Sequence, residues 1–272
     1  MKYIKQQLNV MKAVGFVTYK EWAAYRTHSM VSILVGPLYF CVQIFIWNAV
    51  YSTQTSVAGM DLQQMILYFA IVTVIHYLTM DFADWNLQML IHTGKFVTYL
   101  LRPLNHSYFA FSQKIGHRVL GLLYEFIPVT IIVTLLFKIN LAPASIGWTI
   151  ISIALSFVMM FCINYCIGIT AFWLTRTGGL RSVFLVLRNV FSGAFIPLVL
   201  FPGMVQKILF FLPFQFVAYV PARVWLGNYD LAGISMPIEH IVLIQAGYTL
   251  MMFIFMQLLY RFGIKKFTGV GT

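Results

Sequence analysis

The chain has 272 residues, of which 61% are hydrophobic and only 9% are charged. Soluble domains carry about 25% charged residues, so this composition excludes a water-soluble globule of this size. Disorder is excluded by the high apolar content and a disulfide framework by the presence of only 3 Cys, which leaves an integral membrane protein. The net charge of +11 does not indicate nucleic-acid binding, because the basic residues flank apolar runs instead of forming one patch.

The first 28 residues predict an amphipathic helix at a membrane surface. Ile4, Leu8, Met11 and Gly15 recur at helical spacing, and lysines interrupt the stretch too often for a cleavable signal peptide. A packed helix of a soluble domain is the alternative, although the rest of the chain offers no such domain. We therefore expect residues 1–28 to lie on the inner face of the membrane.

Six apolar runs are long enough to cross a bilayer as helices, which requires about 20 residues each. They are Met30–Tyr51, Leu62–Met80, Val119–Phe137, Trp148–Leu174, Val183–Phe201 and Ile241–Tyr260. Most Lys and Arg residues precede the first run, follow the last or occupy the loops on that same side, so both termini are expected in the cytoplasm. The predicted fold is one all-α domain over 1–272, with a six-span bundle at 29–262 and a cytoplasmic tail at 263–272.

The stretch between Phe201 and Ile241 is apolar but is cut by four prolines. Each piece between the prolines is too short to cross a bilayer. We expect two short re-entrant helices that enter the outer leaflet and return, with protein covering their backbone ends.

The longest predicted cytoplasmic loop, residues 81–117, contains a short helix suited to contact a partner. Thr93 can cap a helix from Lys95 to Leu101, and Pro103 would end it. A plain interfacial loop is the alternative. The apolar side of this helix and its basic rim would be formed by Lys95, Phe96, Val97, Leu100 and Arg102.

The spans lack the groups that membrane enzymes use. They contain no H-E-x-x-H or G-x-S-x-G pattern and no pair of carboxylates. Gly94-Lys95 is the only Gly-Lys dipeptide, and the remaining residues of a P-loop are missing around it. We therefore expect no catalytic residue, metal, nucleotide or other cofactor on this chain.

Glu125 and Arg188 are charged residues that enter predicted spans. Each is roughly 8–9 Å from the cytoplasmic end of its span at about 1.5 Å per residue. They could form a pair that lines the inner entrance of a pathway. A structural ion pair, or two side chains that snorkel independently to the interface, are the alternatives.

Three stretches of the chain resemble the permease subunit of ABC-2-type ATP-binding-cassette transporters. They are the amphipathic amino-terminal helix, the sequence from Thr93-Gly94-Lys95-Phe96 to Leu104, and Ser192–Leu198 with Phe201-Pro202. In that family the second stretch contains a coupling helix that a separate ATPase moves. The resemblance therefore implies coupling to an ATPase through Gly94, Lys95, Phe96, Val97, Leu100, Arg102 and Pro103.

The resemblance also implies a pathway along the first, second and fifth spans, between two permeases that are identical or different. An apolar, aromatic lining favours an amphipathic, lipid-like, drug or peptide cargo over an ion. Helix kinks could act as hinges there or could be fixed bends. The candidate pathway and inner-gate residues are Phe40, Phe45, Glu125, Arg188, Phe191 and Phe195, and the candidate hinges are Gly36, Pro37, Gly193 and Pro197.

The implied partners are an ATP-binding-cassette ATPase in two copies, a second permease and the lipid bilayer, with no nucleic acid. ATP and Mg²⁺ would be bound by the ATPase. We expect a multi-pass exporter subunit in a bacterial plasma membrane. A membrane-embedded lipid-modifying enzyme would instead work without ATP, and a non-transport scaffold or stand-alone channel would need no ATPase.

Overall fold

The structure is a computed structural model that describes residues 2–24, 26–102 and 105–267. Over these residues the chain is mostly helical, with one two-stranded antiparallel hairpin. The helices are α1 Lys2–Ala24, α2 Arg26–Tyr51, α3 Leu62–Thr79, α4 Ala83–His92, α5 Val97–Leu100, α6 His106–Gly121, α7 Ile127–Phe137, α8 Ile146–Ile169, α9 Gly178–Phe191, α10 Gly203–Phe211, α11 Tyr219–Leu226 and α12 Ile238–Ile264, and the strands are β1 Asp230–Leu231 and β2 Ile234–Ser235.

Five helical stretches are long and apolar enough to cross a membrane. They confirm a multi-pass membrane protein and coincide with five of the six predicted spans. A capping box shows how one of them begins, because Asp61 accepts from the backbone of Gln64 while the Gln64 side chain accepts from the Asp61 N–H. The five stretches are Ile33–Tyr51, Leu62–His92, His106–Phe137, Ile146–Phe172 and Ile238–Ile264.

The prediction of one helix over Val183–Phe201 is wrong beyond Phe191. There α9 ends after 14 residues, which is about 21 Å and too short for a bilayer core of about 30 Å. The backbone then adopts a positive φ of 84° at Gly193, and the buried Tyr68 hydroxyl donates to the Gly193 carbonyl at 2.7 Å. The sequence runs on as an apolar stretch, but the helix does not.

Helix α2 stays continuous although Pro37 lies inside it. The Gly36 N–H donates to the Tyr77 hydroxyl of α3 at 2.8 Å. A Cβ on Gly36 would lie 2.4 Å from the Tyr77 ring. The two helices therefore pack closely at this glycine.

The end of the bundle that holds α4, α5, the start of α6 and the end of α12 is called here the basic end. Its exposed cations include Lys95, Arg102, Arg176 and Arg261. Helix α1 packs along α6 at this end, and the backbones of Gly15 and Gly116 approach so closely that a Cβ on Gly116 would lie 2.1 Å from the Gly15 oxygen.

A π-helical turn, Leu122–Phe126, joins α6 to α7 within one continuous helical stretch. This turn includes Glu125, whose side chain is buried. π-turns of this kind are rare and frequently occur at functional sites.

Two short helices, α10 and α11, occupy the interval where two short helices are predicted between Phe201 and Ile241. They lie at the opposite end of the bundle from α4 and α5. Arg223 of α11 forms an ion pair with Asp230 of the hairpin, and the Trp225 indole donates to the Leu141 carbonyl at 2.8 Å. These bonds fix α11 against the ends of its neighbours.

Candidate functional site

The loop from Thr93 to Gly94 is a helix end and not a helix start. The Thr93 hydroxyl donates to the Met89 carbonyl at 2.7 Å, so it closes α4 instead of capping the next helix as expected. Gly94 follows with a φ of 71°, a conformation that glycine adopts without the cost of a Cβ. The following helix, α5, covers only Val97–Leu100 and not the predicted Lys95–Leu101.

Phe96 does not present its ring to a partner, which corrects that expectation. It is fully buried in this chain, and its ring centroid lies 5.2 Å from that of Phe172 and 5.3 Å from that of Phe267 in edge-to-face contacts. Its backbone N–H donates to the Leu90 carbonyl at 2.9 Å. Phe96 therefore anchors the 93–102 segment to α4, to the turn after α8 and to the end of α12.

The exposed apolar side chains of this segment are Val97, Leu100 and Leu101, with exposed fractions of 41%, 44% and 83%. Lys95 and Arg102 lie beside them and are exposed. The Arg102 guanidinium stacks 4.5 Å from the Tyr99 ring centroid. The predicted apolar side with a basic rim is thus present without Phe96, whereas Pro103 lies outside the described residues.

Three ion pairs near the basic end, called here the ionic belt, lie within the α6–α7 stretch, between α6 and the turn before α4, and between α4 and α9. Arg118 pairs with Glu125 at 3.1 Å, Lys114 with Asp81 at 3.7 Å and Arg181 with Asp84 at 2.5 Å. Every carboxylate in these pairs is almost fully buried, and so are Lys114 and Arg118. Sequence reasoning counted these cations only as loop charges and so missed the belt.

Arg188 does not pair with Glu125, so the ion pair, one of the alternatives that the sequence left open, is not formed. The Arg188 guanidinium donates to the Asn164 side chain at 2.5 Å and to the Asn189 side chain at 3.3 Å. The Arg118 guanidinium takes the place expected for Arg188 and also donates to the Tyr77 carbonyl at 2.8 Å. The two charged side chains are therefore held by separate partners.

The 93–102 segment is joined to α9 through α4. Arg181 of α9 bonds Asp84 of α4, and Thr177, just before α9, lies 3.2 Å from the His92 ring at the end of α4. The Gln88 amide of α4 also donates to the Ile167 carbonyl of α8 at 3.3 Å. A displacement of α4 would therefore act directly on α9.

The four candidate pathway phenylalanines occupy different environments. Phe40 is fully buried against Phe137, with ring centroids 5.0 Å apart, so it does not line an open surface as expected. Phe45 is 75% exposed on α2. Phe191 is half-buried near Phe214, and Phe195 is partly exposed and lines a cavity.

The candidate hinges lie at two kinds of place. Gly36 and Pro37 are inside the continuous helix α2, whereas Gly193 and Pro197 are in the break that follows α9. Pro197 precedes a short 3-10 turn, Leu198–Leu200. The second pair thus sits at an actual change of backbone direction.

Two cavities flank the ionic belt. The polar cavity, about 410 Å³, lies between α1, α4 and α6 at the basic end. The apolar cavity, about 510 Å³, lies between α2, α3 and the end of α9. The second one is lined by Glu125, Asn189 and Phe195, and also by Tyr39 and His76, which carry no motif that would have marked them as cavity residues.

Comparison with known proteins gives one family. Residues 38–271 match the sequence model of a family described as "ABC-2 family transporter protein". Searches of curated proteins and of solved structures found no match. The matched range covers the 93–102 segment, the ionic belt, four of the five long apolar helices in full and the first of them from residue 38 onward.

Proposed function

Because the chain belongs to the ABC-2 family of transporter proteins, we propose that it is the membrane permease of an exporter powered by a separate ATPase. The family is typically the non-enzymatic membrane component of such transporters and implies an ATP-binding-cassette ATPase partner in general. We place the docking site of that ATPase at the 93–102 segment. ATP and Mg²⁺ would be bound by the ATPase, in two copies.

The observation that carries this proposal is an exposed apolar strip on a rigid support. Val97, Leu100 and Leu101 are exposed next to Lys95 and Arg102 at the basic end. A mixed strip of this kind suits a protein groove with a polar rim. The buried ring of Phe96 fixes the strip to the bundle, so a push on it is not lost in a flexible loop.

The ionic belt supplies a route from this strip to the membrane helices. Motion of α4 would reach α9 through Asp84 and Arg181, and through His92 and Thr177. Breaking a fully buried ion pair by removing one partner costs about 3–5 kcal/mol. Because the Arg181 side chain is 26% exposed, breaking the Asp84–Arg181 pair costs less than this. The two helices are therefore expected to move together.

The proposed topology has both termini in the cytoplasm of a bacterium, on the side of the basic end. In it α1 lies on the inner membrane face. The short α9 and the broken backbone after it, residues 192–202, together make the sixth crossing, while α10 and α11 lie within the outer leaflet. The closed packing around Tyr68 and Gly193 supports this arrangement, because backbone that leaves a helix within a membrane must bond to protein.

A second permease, identical or different, is proposed to cover the exposed apolar surface of α2 and α9. Leu38, Phe45, Val183 and Val186 are each more than half exposed on these two helices. The cargo between the two permeases would be amphipathic, because the surfaces facing it are apolar and aromatic with few polar groups.

Replacing Leu100 with Asp tests the docking site. A charge at the centre of the apolar strip should lower affinity for the ATPase and reduce ATP-dependent export at least tenfold, while the permease still inserts in the membrane. The assay purifies the tagged chain in mild detergent, identifies the ATPase that travels with it, and measures ATP hydrolysis and export in proteoliposomes.

Leu174→Asp is the matched control. Leu174 is 42% exposed, close to the 44% of Leu100, and lies at the basic end outside the 93–102 segment. Full copurification and export are expected for it. Export by the Leu100→Asp variant at the level of the unmodified chain, or export without any ATPase, would overturn the proposal.

A further inference from the structure

The polar cavity and the apolar cavity share one wall. Trp22, Met80, Phe82 and His117 line both of them. The Trp22 and His117 rings lie 4.1 Å apart between their centroids, and the Phe82 and His117 rings lie 6.0 Å apart. The two spaces are therefore neighbours that share these four lining residues.

The wall of the polar cavity includes a loosely joined pair of opposite charges. The Asp81 carboxylate and the Lys114 ammonium are both at least 96% buried and lie 3.7 Å apart, which is too long for a good hydrogen bond. The Asp81 Oδ2 atom has no hydrogen-bond partner in the described part of the chain. A buried carboxylate oxygen in this state is costly unless a bound group supplies a donor.

The other groups around this cavity are also of both signs. Glu21 and Lys95 stand at its exposed edge, while the rings of His106 and His117 lie deeper. Trp22, Phe82 and Tyr99 add aromatic faces, against which an ammonium group is attracted. The cavity therefore matches a molecule that carries a cation and an anion, better than one with a single net charge.

The apolar cavity is lined mostly by apolar groups, although Glu125, His76 and Asn189 also line it. Val35, Val72, Ala194 and Phe195 contribute its apolar wall, and its volume of about 510 Å³ falls within the range of small-molecule sites. It adjoins the polar cavity at the shared wall. The two spaces together resemble a polar head site followed by a tail site.

We propose that the two cavities form one binding site for an amphiphile with a zwitterionic head, such as an amine-bearing phospholipid. The ammonium of the head bonds Asp81 and lies against the aromatic rings, its phosphate bonds Lys114, and its acyl chain passes Trp22 and His117 into the apolar cavity. This inference rests on the proposed function, since it names the class of cargo and its entry from the inner leaflet.

The test measures equilibrium binding of radiolabelled lysophosphatidylethanolamine to the full chain purified in detergent, without the ATPase. The Asp81→Asn/Lys114→Gln double variant keeps the site neutral and its size nearly unchanged, so misfolding from an unpaired buried charge is avoided. We expect at least a tenfold weaker affinity for this variant. Its folding is checked by its elution volume and thermal transition.

The Asp84→Asn/Arg181→Gln double variant is the matched control. It neutralises a buried pair of the same belt that lines neither cavity, and its affinity should stay within twofold of the unmodified chain. Lysophosphatidylglycerol and free phosphoethanolamine serve as competitors. A zwitterionic amphiphile site predicts that both compete at least tenfold less well than unlabelled lysophosphatidylethanolamine.

Lysophosphatidylethanolamine whose acyl chain is brominated near its end should also quench Trp22 fluorescence. The Trp22 signal is obtained as the difference in fluorescence between the unmodified protein and the Trp22→Phe variant. Equal binding by the Asp81→Asn/Lys114→Gln variant, equal competition by lysophosphatidylglycerol, or no quenching of Trp22 would each overturn this inference. These binding measurements do not depend on ATP, so they test the cargo site alone. The Leu100→Asp experiment tests only the coupling to an ATPase, so failure of one proposal can be told apart from failure of the other.

Discussion

Single residues decide where this bundle departs from regular helices. Gly94 and Gly193 both have positive φ values, of 71° and 84°, and each stands at a helix end. Gly193 must be glycine for a second reason as well, because a Cβ there would lie 2.8 Å from the hydroxyl oxygen of Tyr68. The break after α9 is therefore fixed by one glycine and one buried tyrosine.

Replacing Gly193 with Ala should lower the free energy of unfolding by about 2 kcal/mol. The left-handed backbone accounts for about 1–2 kcal/mol of this, and displacement of the Tyr68 hydroxyl adds to it. The measurement is thermal unfolding of the purified protein in detergent. Gly203→Ala is the control, because nothing lies within 4 Å of its added Cβ, and equal transitions for the two variants would refute the argument.

At the scale of elements, the contact between α1 and α6 depends on two glycines that lie face to face. The atom met by a Cβ on Gly116 is the backbone oxygen of Gly15, at 2.1 Å, and a backbone atom cannot move aside as a flexible side chain can. Helix α1 also contributes Thr18 and Trp22 to the polar cavity. Its docking therefore shapes that cavity as well as the helix pair.

Gly116→Ala should push α1 away from α6 at a cost of about 1–3 kcal/mol, the usual range for overpacking. Faster tryptic cleavage at Lys12 and Lys20, together with a lower thermal transition, would report the separation. Gly247→Ala on α12 provides the comparison, since its added Cβ meets nothing within 4 Å. That change should be neutral or stabilising by up to about 1 kcal/mol. A Gly116→Ala protein as resistant to trypsin as the unmodified chain would contradict the expectation.

On the scale of the whole molecule, α2 and α9 both carry large apolar side chains that are exposed in this chain. Phe45 and Val186 are 75% and 56% exposed there. Lipid could cover such a surface, but α9 is too short to cross a bilayer alone and its end carries broken backbone. Cover by protein is the better explanation, since irregular backbone within a membrane occurs where protein surrounds it.

Val186→Cys, in a chain whose three native cysteines are replaced, should form an oxidative cross-link to a second permease in membranes. The product would be a dimer of this chain or a mixed pair, which mass spectrometry separates. Leu250→Cys on α12 is the control for lipid-facing positions, with a similar exposed fraction of 62%. Cross-linking of both variants to the same extent, or of neither, would argue against a permease contact at α9.

Sequence reasoning predicts the elements better than the contacts between them. Long apolar runs specify five helices that are long enough to cross the membrane, because burial in lipid requires them. The Asp84–Arg181 pair joins residues 97 positions apart, and no local pattern indicates such a pair. The burial of Phe96 is likewise not indicated by any local pattern, because an aromatic side chain suits the groove of a partner and the core of its own chain equally well.

The helical stretch from α6 to α7 also depends on a detail that composition does not reveal. The sequence predicts that the span begins at Val119, so Arg118 falls outside it and the pairing of Arg118 with Glu125 is not predicted. The two residues are seven positions apart, about two helical turns, and lie on the same side of the stretch. A span boundary moved by one residue hides this contact.

The π-turn at Leu122–Phe126 makes this stretch sensitive to length as well as to composition. It holds one residue more than an ordinary turn of the same stretch. Deleting a single residue from the π-turn would restore uniform α-helical winding and leave the faces of α7 nearly where they are, because the wider turn already accommodates one extra residue. Deleting one residue from the regular part of α6 or α7 would instead rotate every side chain beyond it by about 100°, and the apolar face that α7 turns towards α2 and α3 would be lost.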